Sequence, residues 1–374
     1  MWTWLLPTCM VIAAAAIPLL VWYAADAILN SADGDLRAID DPTAPGYEAR
    51  VDPSPSHMVL SLDPSGALSG VAILSLGPNN MGGTVLSIPA ETITASDVEV
   101  RLIDVYEAGG ELATRQEVAS LMDINVDDHT VLDELGWRQI VSPAAPVPVD
   151  TSTDLTDIDG VVVYAQGTTD LEAATVSEYL GWVNPGEGSQ GRVQRQVGFW
   201  KSWTDILAAS DNPAVIPGER SSGFPWMLAG LTQGQAVVTS IAGTDLVMPN
   251  GEVGTQINVL ELRGLVNTMI PFPRPTSPGA RPKVRLLDGV GGVDVASLYS
   301  PALVAAGAEI VIIGNASSFD VVQTVIVYHD ERFATQAEAF GVALNGAVVS
   351  IEPIKDAALD VTIVMGEDQE PALG

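Results

Sequence analysis

The chain has 374 residues, of which 47 are acidic and 16 basic, and its formal net charge is −31. This charge excludes a nucleic-acid binder that works through a basic surface, because neutralising phosphates requires clustered Lys and Arg. The single cysteine, Cys9, excludes an intrachain disulfide framework and a cysteine zinc cluster, whereas 47% hydrophobic residues suffice to bury cores.

The first 25 residues carry no charged side chain. As a helix, Trp2–Ala25 would be about 36 Å long, enough to cross a bilayer core of roughly 30 Å. We therefore predict a transmembrane anchor at 1–26, which makes this a single-pass protein of the cell membrane with its ectodomain outside the cytoplasm. The alternative is a cleaved signal peptide, although no basic residue precedes the apolar run.

Two stretches of low periodicity divide the rest of the chain. Residues 27–56 are rich in Asp, Pro and Ser and predict a juxtamembrane linker. Residues 271–282, PFPRPTSPGARP, contain five prolines and predict a stiff second linker. The ectodomain is thereby divided into domains at 57–270 and 283–366, with a tail at 367–374.

The larger domain alternates apolar strand-like runs with helical patterns, which predicts an α/β layered fold. The acidic stretch Asp150–Asp159 lacks the glycine and final glutamate of a calcium-binding EF-hand loop, and we interpret it as a solvated loop. The predicted strands are Met58–Leu62, Gly70–Leu76, Thr84–Pro89, Gly160–Tyr164, Gln235–Ser240 and Gln256–Leu260, and the helices are Thr114–Met122 and Val193–Ala209.

The smaller domain has the order βαββαβ, typical of a two-layer α+β module. Its turn Asp288–Asp294, DGVGGVD, lacks the spacing of a phosphate-binding loop, so we predict a tight turn capped by Asp294. The predicted elements are strands Val284–Leu287, Glu309–Ile313, Val321–Tyr328 and Val361–Met365, helices Val293–Ala306 and Phe333–Leu344, and an optional strand Ala347–Ile351.

Four segments of the smaller domain follow one another in a recognisable order: VRLLDGVGG, LVAAGAEIVIIGNASSFD, QTVIVYHDE and DVTIVMG. With these segments the smaller domain resembles the LytR C-terminal domain of actinobacterial cell-envelope proteins. The larger domain contains TVLSIPAETI, EAGGELATRQEVASLMDINVDDHTVL, VVYAQGTTD and SQGRVQRQVGFW. Through these motifs it resembles a diverged LytR-CpsA-Psr (LCP) domain over most of 58–205.

The resemblance implies an α/β sheet domain with an apolar channel for a polyprenyl chain. It also implies Mg²⁺-dependent transfer of a glycopolymer from polyprenyl pyrophosphate to peptidoglycan. Such chemistry uses carboxylates for the metal and arginines for the pyrophosphate charge.

The charged positions that the family implies are mostly replaced here. Ala90-Glu91 stands where the family has Arg-Asp, and Gln166 follows Tyr164-Ala165 where an arginine is expected. The acidic residue before the arginine pair is Ser189, and an early aspartate corresponds to Ser69 or Gly70. Because glutamine cannot replace bidentate arginine contacts, we expect little catalysis.

The candidate site residues each have a structural alternative. Glu91, a weak catalytic candidate, could be an ordinary loop carboxylate. Arg192 and Arg195 share a helix face and could hold phosphate with Gln196, or could pair with the chain's acids. Trp200 and Trp203 could line a lipid channel or pack in the core.

Three functions remain open from the sequence. The first is a non-catalytic envelope protein, without a cofactor, that binds a polyprenyl-linked lipid or envelope proteins. The second is an active transferase that uses Mg²⁺ at a rebuilt site. The third is an interaction module that acts through the C-terminal domain.

Overall fold

The computed structural model describes residues 39–96, 100–354 and 358–369. Among these residues, no helix combines the length and apolarity that a bilayer crossing requires. The predicted anchor at 1–26 and the first part of the predicted linker lie outside the described residues.

Seventeen strands and eight α-helices are formed by the described residues. The strands are β1 (Glu48–Arg50), β2 (Ser56–Leu62), β3 (Leu68–Leu76), β4 (Gly83–Pro89), β5 (Asp128–Leu132), β6 (Val147–Thr151), β7 (Leu155–Thr156), β8 (Val162–Tyr164), β9 (Gly167–Leu171), β10 (Ala236–Ser240), β11 (Gly243–Val247), β12 (Val253–Ile257), β13 (Lys283–Asp288), β14 (Glu309–Asn315), β15 (Val325–Tyr328), β16 (Val348–Ile351) and β17 (Val361–Met365). The helices are α1 (Leu102–Met122), α2 (Glu134–Val141), α3 (Val176–Gly181), α4 (Ser189–Ala209), α5 (Gly223–Thr232), α6 (Val259–Met269), α7 (Val295–Ala305) and α8 (Ala334–Ala343).

The larger domain is built on a five-stranded mixed sheet with the order β10-β4-β3-β2-β5. Strands β2 and β3 are buried along their whole length, because alternate side chains enter separate cores on the two faces of the sheet. Helices α2 to α5 cover one core, and α1 and α6 cover the other. The mixed α/β architecture predicted from the sequence is confirmed.

Two helices differ from the prediction. Helix α1 begins twelve residues before the predicted Thr114, and it contains a break at Gly110, where φ is +66°. The residues after Ile257 were predicted to be strand but begin α6, because the Asn258 side chain accepts hydrogen bonds from the N–H groups of Leu260 and Glu261.

The smaller domain is a six-stranded sheet with the order β1-β14-β13-β17-β15-β16 and helices α7 and α8. The predicted order of elements is present, and the optional strand appears as β16. The predicted linker, however, contains β1, which pairs antiparallel with β14 and extends this sheet. Alternation over so few residues gives no periodic signal, so this strand was missed.

Residues 42–51, which we call the strap, are bound to the smaller domain by several hydrogen bonds. Asn315 donates from its backbone N–H to Tyr47 O at 2.7 Å and from its side chain to Ala44 O at 2.8 Å. Arg285 forms an ion pair with Glu48. A Cβ at Gly314 would clash with the carbonyl oxygen of Tyr47, so this close approach requires glycine.

The turn after β13 is stabilised from within the chain. The carboxylate of Asp288 is buried and accepts hydrogen bonds from the N–H groups of Val290, Gly291 and Val293 at 2.9 to 3.0 Å. Asp294 caps α7 through Ser297 N–H, as predicted. The glycine loop thus surrounds a carboxylate of the chain itself.

The predicted tail at 367–374 begins too early. The Asp368 carboxylate accepts hydrogen bonds from the N–H and hydroxyl groups of Thr324, so residues 367–369 belong to the smaller domain. Residues 370–374 lie outside the described residues.

A buried histidine links β2 to its neighbours. The ring of His57 is 1% exposed, stacks on Phe224 and lies 2.9 Å from the hydroxyl of Thr130. Burial lowers its pKa to about 4, even though Asp128 and Asp127 nearby favour the charged ring; His129 adds to the lowering.

We expect His57 to make the protein less stable in acid. The unfolded ring takes up a proton near pH 6.5, and the folded ring does so only near pH 4, so stability falls as the pH falls through this window. Urea unfolding of the full-length protein at pH 7.5 and 4.5 should show His57 contributing about 2 to 3 kcal/mol to this loss. His57→Gln should flatten the slope, and the control His329→Gln should not. Equal slopes in all three proteins would contradict this assignment.

Candidate functional site

A cleft of about 290 Å³ lies where the first turn of α4 meets the loop after β4 and the hairpin of β11 and β12. Three carboxylates and two guanidinium groups face it. Its lining consists of Glu91, Arg101, Val183, Glu187, Gly188, Ser189, Arg192, Asp245 and Val253. The predicted candidates Glu91 and Arg192 are therefore brought together.

Arg192 and Glu91 form an ion pair across the cleft. The guanidinium Nη2 of Arg192 contacts Oε1 of Glu91, and the two side chains are 8% and 20% exposed. The second oxygen of Glu91, Oε2, is buried and has no hydrogen-bond partner among the residues that the structure describes. Burial and the nearby charge of Arg195 lower the pKa of Arg192 to about 10, so it remains a cation at neutral pH.

Arg195 is bound just behind the cleft wall. Its Nη1 contacts both carboxylate oxygens of Glu187, and its Nη2 donates to the carbonyl oxygen of Trp182. The side chain is 4% exposed. The sequence left two roles open for Arg192 and Arg195, binding a phosphate or pairing with acids of the chain, and in this structure both arginines pair with acids of the chain.

The N-terminus of α4 is occupied by Asp245. Its carboxylate accepts hydrogen bonds from Ser189 N–H at 2.8 Å and Ser189 Oγ at 2.5 Å, and from Thr255 Oγ1 at 2.9 Å. Burial opposes ionisation, but these hydrogen bonds outweigh it and lower the pKa of Asp245. Helix N-termini attract anions, and here the chain supplies that anion itself.

Arg101 closes the rim of the cleft at the start of α1. Its guanidinium forms ion pairs with Asp104 at 2.7 Å and with Glu252 at 2.7 Å, and it donates to the carbonyl oxygen of Val253. Each of the three arginines in or behind the cleft is thus bound to a carboxylate of the chain.

Gln196 lies outside the cleft. It is buried, and its Nε2 donates to the carbonyl oxygens of Ser69 at 2.9 Å and Leu180 at 3.1 Å, which links α4 to β3 and α3. A Cβ at Gly70 would lie 2.6 Å from the Gln196 amide, so glycine makes room for this link. The amide is used structurally rather than presented to a ligand.

Trp200 and Trp203 belong to a sealed aromatic cluster. They are 2% and 0% exposed, their ring centroids are 5.4 Å apart, and Trp203 also contacts Phe199 at 5.8 Å and Trp137 at 6.0 Å. These contacts place both rings in the core between the sheet and α2 to α5. Core packing is therefore the role that the structure favours over a channel lining.

Gln166, expected at an arginine position of the site, is exposed in the turn between β8 and β9. Its N–H donates to Asp154 at 2.7 Å, and its side chain donates to Ser152 O at 2.9 Å. It does not line the cleft. The replacement of arginine by Gln166 therefore does not change the lining of the cleft at α4.

Sequence reasoning missed Arg101, Glu187 and Asp245. Glu187 precedes the arginine pair by a few residues, so it could have been found as the acid displaced from position 189. Asp245 is 56 residues from its partner Ser189, and Arg101 is ten residues from Glu91; no local spacing marks either of them.

The carboxylates of the cleft are not arranged to coordinate Mg²⁺. In the part of the chain that the structure describes, no three His, Cys, Asp or Glu side chains are arranged to hold a metal ion. Oxygens of Glu91, Glu187 and Asp245 are already bound to guanidinium or hydroxyl groups. Magnesium prefers near-octahedral oxygen sites, with carboxylates free to bind it.

Comparisons with known proteins agree with the resemblance seen in the sequence. Residues 70–210 match the LytR_cpsA_psr family, and residues 281–368 match the family described as LytR cell envelope-related transcriptional attenuator. No curated protein matches the chain.

Solved structures of low sequence identity are also similar. Bacillus subtilis TagV is 18% identical with a TM-score of 0.48, covering 59% of this chain and 98% of its own. B. subtilis TagT is 18% identical with a TM-score of 0.47, covering 62% and 99%. A TagT structure with bound octaprenyl pyrophosphate lipid is 16% identical with a TM-score of 0.44, covering 63% and 99%. On the two family matches, the chain is an LCP family protein of the cell envelope that carries a LytR C-terminal domain.

Proposed function

We propose that this protein is a membrane-anchored, extracytoplasmic envelope protein that works by binding and does not transfer a glycopolymer. The observation that supports this is that both arginines of the pair are bound to carboxylates of the chain, Arg192 to Glu91 and Arg195 to Glu187. Arginines that would hold pyrophosphate charge in a transferase are here neutralised by carboxylates.

The electrostatics of the cleft oppose an unaided pyrophosphate. Its lining has three carboxylates, Glu91, Glu187 and Asp245, against two arginines. A pyrophosphate would have to displace carboxylates from nearly buried guanidinium groups and leave those carboxylates without a partner, which is costly in a low-dielectric site. Since the carboxylates are not arranged for Mg²⁺, a metal ion does not offset this repulsion.

The class of ligand to test comes from the relatives. One TagT structure is described with octaprenyl pyrophosphate lipid bound, and another with a wall teichoic acid lipid. A polyprenyl pyrophosphate is therefore the probe that distinguishes a protein that binds the lipid, one that transfers a group from it and one that does neither.

The proposed membrane anchor rests on the uncharged run at 1–25. Release of the full-length chain from membranes by alkaline carbonate would contradict it.

The test uses full-length protein in detergent micelles, titrated with polyprenyl pyrophosphate with and without Mg²⁺. We expect no release of phosphate. Replacing both Glu91 and Glu187 by glutamine should raise the affinity for the lipid by about tenfold or more, because it removes two negative charges and an uncharged amide competes less strongly for each guanidinium group than a carboxylate does. Glutamine keeps the size of the side chain and an oxygen acceptor for each arginine.

The matched control is Glu134→Gln, which removes the carboxylate partner of Arg138 at an exposed ion pair that does not line the cleft. It should leave lipid affinity unchanged. Mg²⁺-dependent turnover that disappears in Arg192→Ala would overturn the proposal and indicate a transferase with a rebuilt site. Absence of lipid binding in wild type would leave partner binding through residues 283–366 as the function.

A further inference from the structure

A second cavity, of about 580 Å³, lies at the other end of α1 from the cleft. The last turns of α1, the following loop and α6 surround it, together with Thr276 of the proline-rich segment. It shares no lining residue with the cleft at α4. Its lining is Leu112, Arg115, Gln116, Ala119, Ser120, Asp123, Asn125, Arg263 and Thr276.

Two arginines line this cavity, and neither has a carboxylate partner among the described residues. Arg263 donates to the carbonyl oxygens of Leu121 at 3.2 Å and Ser120 at 3.4 Å. The guanidinium group of Arg115 contacts three uncharged oxygens, namely the backbone carbonyl oxygens of Val126 and Asp127 and the side-chain amide oxygen of Asn125. Eight other arginines in the described ranges form ion pairs with Asp or Glu, but these two do not.

The nearby acids are held by other groups. Asp123 binds Arg281 at 3.0 Å, and Asp127 binds Arg274 and the N–H of Ser56. Glu117, on the same helix as Arg115, accepts hydrogen bonds from Ala95 N–H and Ser96. In the part of the chain that the structure describes, neither Arg115 nor Arg263 forms an ion pair with a carboxylate, although the chain as a whole has a net charge of −31.

Guanidinium groups keep unused donors in this arrangement. Each has five N–H groups. Arg263 uses Nε and Nη2, and Arg115 uses only Nη2, so Nη1 of both and Nε of Arg115 form no hydrogen bond with the residues that the structure describes. Around them, Gln116, Ser120, Asn125 and Thr276 add neutral donors and acceptors of the kind that bind hydroxyl groups.

We propose that this cavity binds an anionic, hydroxyl-rich ligand, namely a sugar unit bearing a carboxylate or a phosphate. Two arginines bind the oxyanion, and the amide and hydroxyl side chains bind the sugar hydroxyls. The volume is within the range of small-ligand sites. The inference rests on the charge and contacts of Arg115 and Arg263, and it holds whether or not the cleft at α4 binds lipid.

The alternative is that both arginines only cap backbone carbonyls at the end of α1. A capping role predicts a loss of stability on substitution but no saturable anion binding. The experiment therefore measures binding directly. Full-length protein is titrated with inorganic phosphate, with glucuronate and with neutral glucose at low salt, followed by ³¹P and saturation-transfer NMR.

We expect saturable binding of glucuronate, of phosphate, or of both in competition, and none of glucose. The anion that binds more tightly identifies the charged group of the ligand. Arg263→Gln and Arg115→Gln should each weaken binding by about tenfold or more, because one charge-assisted contact is lost. The matched control Arg138→Gln, on α2, should bind as wild type does.

Thermal unfolding of each unliganded variant is measured first. If Arg263→Gln fails to fold, Arg263→Lys retains the charge and removes the planar donor pair, and it should weaken binding by a smaller factor. Absence of saturable anion binding in wild type, or unchanged binding in both arginine variants, would overturn the proposal and leave capping as their role.

Discussion

Replacing Trp203 by alanine should lower the free energy of unfolding of the larger domain by about 3 to 5 kcal/mol. The indole is fully buried and packs against Trp137, Phe199 and Trp200. Its removal leaves a void that these rigid rings cannot fill by relaxing. The change should be seen as a lower midpoint in urea unfolding of the full-length protein.

Tryptophan fluorescence makes this measurement specific. Five of the eight tryptophans lie between positions 137 and 226, three lie at positions 2, 4 and 22, and none lies in residues 283–366, so unfolding of the C-terminal domain does not contribute its own tryptophan signal. Trp226→Ala is the matched control, because Trp226 is only partly buried at the edge of the same core. This substitution should lower the free energy of unfolding by clearly less than Trp203→Ala does. A loss below about 1 kcal/mol for Trp203→Ala would indicate a loosely packed interior, as an open lipid channel requires.

Replacing Arg192 by methionine should cost about 3 to 5 kcal/mol, since breaking a nearly buried ion pair leaves one charge without a partner. The Glu91 carboxylate would then lose its guanidinium contact, and its second oxygen already has no hydrogen-bond partner among the described residues. The same urea and fluorescence measurement reports this change.

The double variant Glu91→Met with Arg192→Met provides the control. Removing both charges together should return stability to within about 1 kcal/mol of wild type, because two apolar groups replace the pair without a stranded charge. If the two single substitutions simply added up in the double variant, the pair would not be coupled, and the assignment of a neutralised cleft would be wrong.

The sequence predicted the sheet better than the helices around it. The strands of the first hairpin were found because their apolar runs are bounded by turn residues. Helix α1 was predicted only from Thr114, since Gly109-Gly110 interrupts the helical pattern where the backbone does break. The strand β1 and helix α6 depend on pairing and capping that short windows do not reveal.

The site was predicted in part for a similar reason. Glu91 and Arg192 were identified from short motifs, but their ion pair joins residues 101 positions apart, and nothing in either motif states it. The same applies to Asp245 at the start of α4. Whether an arginine is free or neutralised is a property of the folded chain, which is why Arg115 and Arg263 were not singled out by spacing.

The strap has a consequence for the order in which the chain folds. Its pairing of Ala49 with Ile313 closes a loop between residues that are 264 positions apart. Closing so long a loop is slow and entropically unfavourable until its ends are held near each other. During synthesis, β1 emerges early and must wait unpaired for β14, so the larger domain is complete before the C-terminal sheet gains its edge strand. A cut within residues 271–282 would therefore not separate two independent domains. The strap would stay on the N-terminal fragment, although its strand β1 belongs to the sheet of the smaller domain.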